Sequence, residues 1–246
     1  MRVLATYNIK GGVGKTAAAV NLAYLAARDG RRTLLWDLDP QGATSFLLKV
    51  KPRVKGGGKA LVEGRRSLAD VVKSTEYERL DLAPADFTYR NLDLVLDGAK
   101  RSTTRVRRLL APLKRDYDLV VIDCPPGISL VSENVLAAAD LVLVPVIPTT
   151  LSVRTLDLIT DFVADLDHRP PLLAFLSMVD RRKKLHLELS ERLRVERDDV
   201  AAAVIPALSA VEQMVVHRAP LAEYAPRSLA TAGYERLWKE TRKRLK

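Results

Sequence analysis

Cysteine is nearly absent from this sequence, with a single occurrence at Cys124. One cysteine excludes an internal disulfide framework and fits a reducing compartment. It also excludes a metal cluster that needs two thiolates from each of two chains. The three histidines, His168, His186 and His217, lack the spacing of metal ligands. The composition therefore argues against disulfide-stabilised and transition-metal proteins.

Aromatic residues and long apolar runs are also scarce. Aromatics make up 5% of the chain, which argues against stacking on single-stranded bases. No run approaches the roughly 18 continuous apolar residues of a membrane span. An N-terminal signal peptide is not expected, since a strand begins directly after Met1 and Lys10 interrupts any apolar segment. We expect a soluble, cytoplasmic protein.

Positive charge, by contrast, is in excess. The 246 residues carry a formal net charge of +10, which favours a polyanionic partner such as nucleic acid or an anionic membrane. Part of this charge lies at residues 51–66, where six basic residues and one acidic residue are mixed with glycine and proline. This composition predicts a mobile loop, either an arm that contacts nucleic acid or a solvated insertion.

Strands and helices alternate along the sequence. Apolar runs predict strands at 2–7, 33–37, 80–85, 118–123, 141–145, 172–178 and 200–205. Helical periodicity is present at 16–28, 41–48, 129–138, 152–166, 185–195 and 228–245. This alternation predicts an α/β fold, a single doubly wound and mostly parallel sheet flanked by helices. No linker divides the chain, so we expect one domain over residues 1–246.

A glycine-rich loop joins the first strand to the first helix. It comprises Lys10, Gly11, Gly12, Val13, Gly14, Lys15 and Thr16, followed by Ala17. Glycines let a backbone wrap around an anion and direct its N–H groups inward, and the helix dipole adds to the attraction. In this context Lys15 would reach the β- and γ-phosphates of a nucleotide and the Thr16 hydroxyl would hold Mg²⁺.

Carboxylates follow two of the predicted strands. Asp37 and Asp39 come at the end of one strand, and Pro40 stops that strand. Asp123 ends another strand of four apolar residues, the pattern of a Walker B aspartate that holds Mg²⁺. The carboxyl ends of parallel strands meet at one edge, where ligands bind. Two solvated turn aspartates at 37 and 39 are the alternative.

Three segments together resemble the ParA/MinD family of deviant Walker A P-loop ATPases. Ile9 stands where the general P-loop has glycine, and the loop instead opens with a second lysine, Lys10. The run from Asp37 to Gly42 is similar to the first switch of that family, and the run from Asp123 to Gly127 to the second. The C-terminal segment 205–228 also resembles the family, so the likeness extends from the first strand to the last helix.

The resemblance implies specific roles for individual residues. Lys10 would cross an ATP-bound homodimer to the partner's phosphates; a solvated loop lysine is the alternative. Asp39 would position the attacking water, and Asp37 would support the Mg²⁺ shell. Met178 and Pro206 occupy positions that surround adenine in the family.

The resemblance also implies a cellular function. An ATPase of this kind, with ATP and Mg²⁺ as cofactors, dimerises with ATP, binds double-stranded DNA non-specifically and associates with the nucleoid. It positions or segregates a chromosome, plasmid or protein assembly, and a ParB-like or cargo-adaptor protein stimulates hydrolysis. Because the first strand begins near residue 3, we expect no N-terminal helix-turn-helix domain.

The DNA-contacting residues are less clear in the sequence. Many chromosome-type family members have arginines shortly after the Ile-Pro that here is 205–206, whereas this chain has Ala207 to Ala210. Other basic residues are therefore the candidates: Arg181, Arg182, Lys183, Lys184, Arg192, Arg194, Arg218, Lys239, Arg242, Lys243 and Lys246. A further basic cluster comprises Arg101, Arg105, Arg107 and Arg108.

Three other functions remain open at this point. A MinD-like membrane-positioning ATPase would need a C-terminal helix with an apolar face, for which residues 235–246 offer only Leu237, Trp238 and Leu245. A metabolic P-loop enzyme on the same scaffold would need an acceptor site that no motif indicates. A nucleotide-binding scaffold without hydrolysis is disfavoured by the presence of Lys15, Asp39 and Asp123.

Overall fold

Eight strands form one sheet in the order β3-β4-β2-β5-β1-β6-β7-β8. The computed structural model describes residues 1–98 and 102–245. The strands are β1 (Arg2–Thr6), β2 (Thr33–Asp37), β3 (Lys73–Ser74), β4 (Leu80–Ala83), β5 (Leu119–Asp123), β6 (Leu141–Val146), β7 (Leu172–Val179) and β8 (Val200–Pro206). Neighbouring strands in the described residues run parallel except β3 and β4.

Helices cover both faces of this sheet. They are α1 (Lys15–Arg28), α2 (Ala43–Leu47), α3 (Gly57–Val62), α4 (Leu92–Asp97), α5 (Arg105–Leu110), α6 (Leu130–Ala138), α7 (Thr150–Ala164), α8 (Lys184–Glu196), α9 (Ser209–Glu212), α10 (Met214–His217), α11 (Leu221–Tyr224) and α12 (Leu229–Arg244). Short 3₁₀ helices lie at Ala69–Val71, Phe87–Asn91, Ser102–Thr104 and Ala111–Arg115.

The core consists of two layers separated by the sheet. Alternate residues of β1 face opposite sides, so Val3 and Ala5 join one cluster while Leu4 joins the other. The Leu4 side is covered mainly by α1 and α12, and the Val3 side by helices that include α6 and α7. Buried strands of this kind have apolar residues on both faces, as in β5 and β6.

The predicted fold class is confirmed. The seven strands and six helices given above from the sequence are present with ends within two residues of those positions. The short antiparallel strand β3 was not predicted, since two exposed residues carry no apolar pattern. Arg101 and Lys246 lie outside the described residues.

The prediction of a mobile loop over residues 51–66 is wrong. The segment contains α3, and Val54, Leu61 and Val62 are buried in the core. The Asp86 carboxylate accepts the Val54 N–H at 2.7 Å, which fixes the segment to the turn after β4. Burial of apolar side chains therefore outweighs the glycine-rich and basic composition.

The register of the central strands aligns their polar ends. Asp123 of β5 pairs with Thr6 of β1 on one side and with Asp37 of β2 on the other. These residues are the last of their strands, at the edge where ligands of parallel sheets bind. Within residues 1–98 and 102–245, no helix combines the length and the apolar character needed to cross a membrane.

Candidate nucleotide site

The glycine-rich loop forms an open cradle at the start of α1. Gly12 and Gly14 have positive φ angles of 70° and 98°, a conformation that side chains other than glycine rarely adopt. A Cβ built on Gly11 or Gly12 would meet nothing within 4 Å, whereas one on Gly14 would lie 2.8 Å from Ser177 Oγ. The loop is thus open toward solvent and closed toward the sheet.

Three neighbouring segments hold this loop in place. Ser177 of β7 donates its hydroxyl to the Val13 carbonyl at 2.9 Å. Asn8 donates its amide to Pro145 at 2.8 Å and accepts the Lys10 N–H at 2.9 Å. The Gly127 N–H donates to the Ile9 carbonyl at 3.0 Å, which joins the loop to the segment after β5. These bonds preorganise the cradle.

The donors of the loop are available for an anion. Among the described residues, the N–H groups of Gly11, Gly12, Val13 and Gly14 have no acceptor within the protein. A run of unpaired N–H groups at the N-terminus of a helix is a phosphate-binding arrangement.

Lys15 places its charge inside this arrangement. It is only 7% exposed, and its Nζ donates to the Lys10 carbonyl at 2.8 Å. Burial lowers the pKa of Lys15, and the nearby Asp123 carboxylate offsets part of that effect. The Lys15 ammonium group is thus held by a hydrogen bond to the Lys10 carbonyl. The Lys10 residue is half-buried.

Asp123 lies directly below the cradle and is buried. Its Oδ2 accepts the hydroxyls of Thr16 at 2.8 Å and Thr44 at 2.7 Å. The two hydroxyls come from α1 and α2, so this carboxylate joins the phosphate loop to the helix that follows Asp37.

Asp37 is buried beside Asp123 in the adjacent strand. Its Oδ2 accepts the Ser45 N–H at 2.8 Å and the Ser45 hydroxyl at 2.7 Å, while its Oδ1 has no partner in the described residues. Burial is the main cause that raises the pKa of both Asp37 and Asp123, and the repulsion from Asp123 raises that of Asp37 further.

These groups fit a magnesium ion. Thr16, Asp37 and Asp123 offer hard oxygen ligands, and Asp37 Oδ1 is a buried acceptor that lacks a donor. A divalent cation would relieve the repulsion between the two carboxylates. Phosphate oxygens of a nucleotide and water would complete the coordination of Mg²⁺.

Asp39 lies at the rim of the site, half-buried rather than enclosed. Its Oδ1 accepts the Gln41 N–H at 2.9 Å, which fixes the turn before α2. A solvated turn aspartate, the alternative role for Asp39, would make the same hydrogen bond to the Gln41 N–H. The other carboxylate oxygen, Oδ2, has no intramolecular donor in the described residues.

The comparisons with known proteins now decide the family. A family model described as "AAA domain" matches residues 1–173. The sporulation initiation inhibitor protein Soj of Bacillus subtilis is 33% identical over 249 residues, covering 97% of each chain. The chromosome partitioning protein ParA of Caulobacter vibrioides is 31% identical over 252 residues, covering 98% of this chain and 93% of that protein. This chain belongs to the ParA/MinD family of P-loop ATPases.

One solved structure with a similar fold contains a bound nucleotide. The structure of cobyrinic acid a,c-diamide synthase from Mycobacterium smegmatis, with bound ADP and magnesium, has a TM-score of 0.82 and 25% identity. The alignment covers 99% of this chain and 94% of the synthase chain. The predicted family is thus confirmed, as is the P-loop ATPase class.

Several residues of this ParA/MinD site were missed in the sequence. Thr44 and Ser45 contact the two buried aspartates, and Ser177 contacts the phosphate loop. For Thr44 and Ser45 a signal existed, because these two polar residues come shortly after the Asp37–Gly42 segment, separated from it only by Ala43. Ser177 carried none, since its contact depends on which strands are neighbours.

Met178 and Pro206 remain predicted adenine contacts. Met178 directly follows Ser177 and has a positive φ of 53°, so the backbone turns sharply beside the phosphate loop. Pro206 pairs with Val179 at the end of β8. Both residues are half-buried at the carboxyl ends of their strands.

The structure divides the basic candidates into paired and unpaired residues. Four are salt-bridged to neighbouring carboxylates: Arg182 to Asp180, Lys184 to Glu188, Arg192 to Glu196 and Arg242 to Asp29. Arg218 instead donates to the Phe46 carbonyl and lies over the Phe46 ring. Among the described residues, Arg181, Lys183, Arg194, Lys239 and Lys243 have no carboxylate within 4.0 Å. Lys246 is outside the described range.

Proposed function

We propose that this chain is a Mg²⁺-dependent ATPase that dimerises with ATP, binds duplex DNA without sequence preference and positions or segregates a cargo. The observation that carries the proposal is the phosphate loop with two lysines, set above the buried Asp37 and Asp123. The family membership supports the ATPase class, and the charge of +10 supports the polyanionic partner.

The chain's own residues divide the work of hydrolysis. The N–H groups of the loop bind phosphate oxygens, and Lys15 supplies a positive charge whose burial strengthens its attraction to an anion. Mg²⁺, held through Thr16, Asp37 and Asp123, would neutralise charge on the phosphates. Asp39 accepts a hydrogen bond from the attacking water, and its Oδ2 is available for this because the Gln41 N–H binds Oδ1.

Dimerisation across the nucleotide face explains the position of Lys10. Its backbone is tied to Asn8 and Lys15, so its side chain is presented from a fixed loop. Two large apolar side chains on segments that follow the carboxyl ends of β5 and β6 are exposed, Ile128 by 56% and Leu151 by 68%. A second copy seated on this face would cover them and bring its own Lys10 to the phosphates.

The membrane alternative has little support in α12. Leu237, Trp238 and Leu245 are buried against the rest of the domain, so their apolar surface is already used. We therefore assign the excess positive charge to DNA, with release by a ParB-like or cargo-adaptor protein that stimulates hydrolysis.

The test measures association and DNA binding together. Sedimentation of the chain with ATP, with ADP and without nucleotide should give a dimer only with ATP. Binding to a duplex of arbitrary sequence should follow the same nucleotide dependence and weaken steeply with salt. Nucleotide-independent behaviour in both assays would refute the proposal.

A further inference from the structure

A pocket of about 290 Å³ lies where α8, α12 and the edge strand β8 meet. Three arginines from separate segments line it: Arg181 after β7, Arg194 in α8 and Arg236 in α12. The remaining lining is small or apolar and includes Ala202 and Gly233. The pocket thus has a cationic wall and an apolar floor.

The floor of this pocket is rigid. A Cβ on Gly233 would lie 2.5 Å from the Val204 carbonyl oxygen, so α12 approaches β8 as closely as only glycine permits. The Glu240 carboxylate accepts the N–H groups of Ala202 and Ala203, both at 2.9 Å. Helix and strand are therefore fixed to each other directly beneath the arginines.

One of the three arginines is held by the floor itself. Arg194 donates to the Ala202 carbonyl at 2.8 Å, which places its guanidinium against β8. A guanidinium has five N–H donors in a planar fork, so further donors remain for a ligand.

The arginines of this pocket form no salt bridge within the described residues. Among the described residues, no carboxylate lies within 4.0 Å of the nitrogens of Arg181, Arg194 or Arg236, whereas nearby Arg192 is paired with Glu196. Three guanidiniums around one cavity repel one another, and an anion bound between them offsets this repulsion. Arginine forks match the oxygens of a phosphate, and the volume is roughly ten times the ~30 Å³ that one water occupies in the liquid.

We propose that this pocket binds a phosphate of the DNA backbone. The inference rests on the proposed function and names the surface through which DNA is held. Lys183 lies two residues after Arg181 and Lys239 three residues after Arg236, and neither has a carboxylate partner in the described residues. Neighbouring phosphates of one duplex would meet these lysines. The pocket compensates for the alanines that follow Pro206.

The experiment compares the double variant R181A/R236A with the control R192A. R192A removes an arginine from the same helix as Arg194, but Arg192 does not line the pocket and is already paired with Glu196. Arg194 is left intact because it also binds the Ala202 carbonyl. Anisotropy of a labelled duplex of arbitrary sequence is measured with ATP across a salt series, and with ADP for comparison.

The double variant should bind DNA at least about tenfold more weakly at physiological salt. The slope of log K against log salt should become shallower by about 0.9 for each DNA phosphate that the protein no longer neutralises. R192A should match the wild type in both quantities. The variant R236K, which keeps the charge but removes the fork, should retain the slope and show part of the decrease in affinity.

Two different failures are distinguishable. If the wild type binds no duplex with ATP, both the proposed function and the pocket are overturned. If the wild type binds but R181A/R236A matches it in affinity and slope, the pocket alone is overturned. Unchanged melting temperature and ATPase rate of R181A/R236A without DNA exclude misfolding as the cause of weaker binding.

Discussion

The buried carboxylate pair predicts that Asp37→Asn stabilises the protein in the absence of magnesium. Asp37 has one oxygen without a partner and lies beside Asp123, and its pKa is raised by burial and by that neighbour. A carboxyl group whose pKa is raised on folding stabilises the fold below its unfolded pKa of about 3.9. This stability is lost as the pH rises through the folded pKa.

The magnitude follows from that linkage. Each unit by which folding raises the pKa of Asp37 lowers the free energy of unfolding by about 1.4 kcal/mol once the pH is above both the folded and the unfolded pKa. Asparagine keeps the acceptor for Ser45 and carries no charge, so we expect a gain of at least about 1.4 kcal/mol at pH 8. For a chain of this size that gain is roughly 3–6 °C in melting temperature.

The assay is thermal unfolding of wild type and Asp37→Asn from pH 5 to pH 8, without and with Mg²⁺ and ATP. Without metal, the difference in melting temperature between Asp37→Asn and wild type should widen as the pH rises. With Mg²⁺ and ATP this difference should shrink or reverse, because the variant loses an oxygen that supports the metal ion. Asp39→Asn, at the half-buried rim, is the matched control and should change stability by less than about 0.5 kcal/mol. A gap that is absent, or that does not vary with pH, would refute the reasoning.

Three further predictions concern the phosphate loop and its rim. Lys10→Ala should abolish the ATP-dependent dimer in sedimentation while leaving nucleotide binding to the monomer largely intact; an unchanged dimer would contradict the role in trans. Asp39→Ala should lower steady-state turnover about 100-fold or more while the ATP dimer persists, and full turnover would reassign the water-positioning role. Gly14→Ala should lower the free energy of unfolding by about 2 kcal/mol, through the positive φ and the contact with Ser177 Oγ. Ser177→Ala in that background should recover part of the stability, and additive effects in urea unfolding would contradict the contact.

The nucleotide site was predictable because its signals are local. The glycines and lysines of residues 10–16 lie between a strand and a helix, and Asp37 and Asp123 each end an apolar run. Parallel strands must bring such ends to one edge, and the register of β1, β2 and β5 does so. Ser177 was not predictable, because its contact requires β7 to follow β6 and β1 in the sheet, an order that no segment of the sequence encodes.

The basic surface was only partly predictable for the same reason. The pairs Lys184–Glu188 and Arg192–Glu196 are four residues apart on a helix and could be identified from spacing alone. The pair Arg242–Asp29 joins the last helix to the turn after the first, so only the fold reveals it. The prediction of a mobile loop over segment 51–66 was wrong for another reason. Its many charges and glycines outnumber the few apolar side chains that anchor it in the core.

The Glu240 carboxylate that fixes α12 to β8 also covers part of one border of the sheet. An edge strand with unpaired N–H groups is a template for strand addition by another molecule, and Glu240 occupies two of these groups. At the opposite border, β3 is only two residues long. If the protein gathers on DNA as we propose, its copies meet at high local density. These features at the two borders disfavour lengthening of the sheet from chain to chain, which leaves self-association to the nucleotide face that we propose.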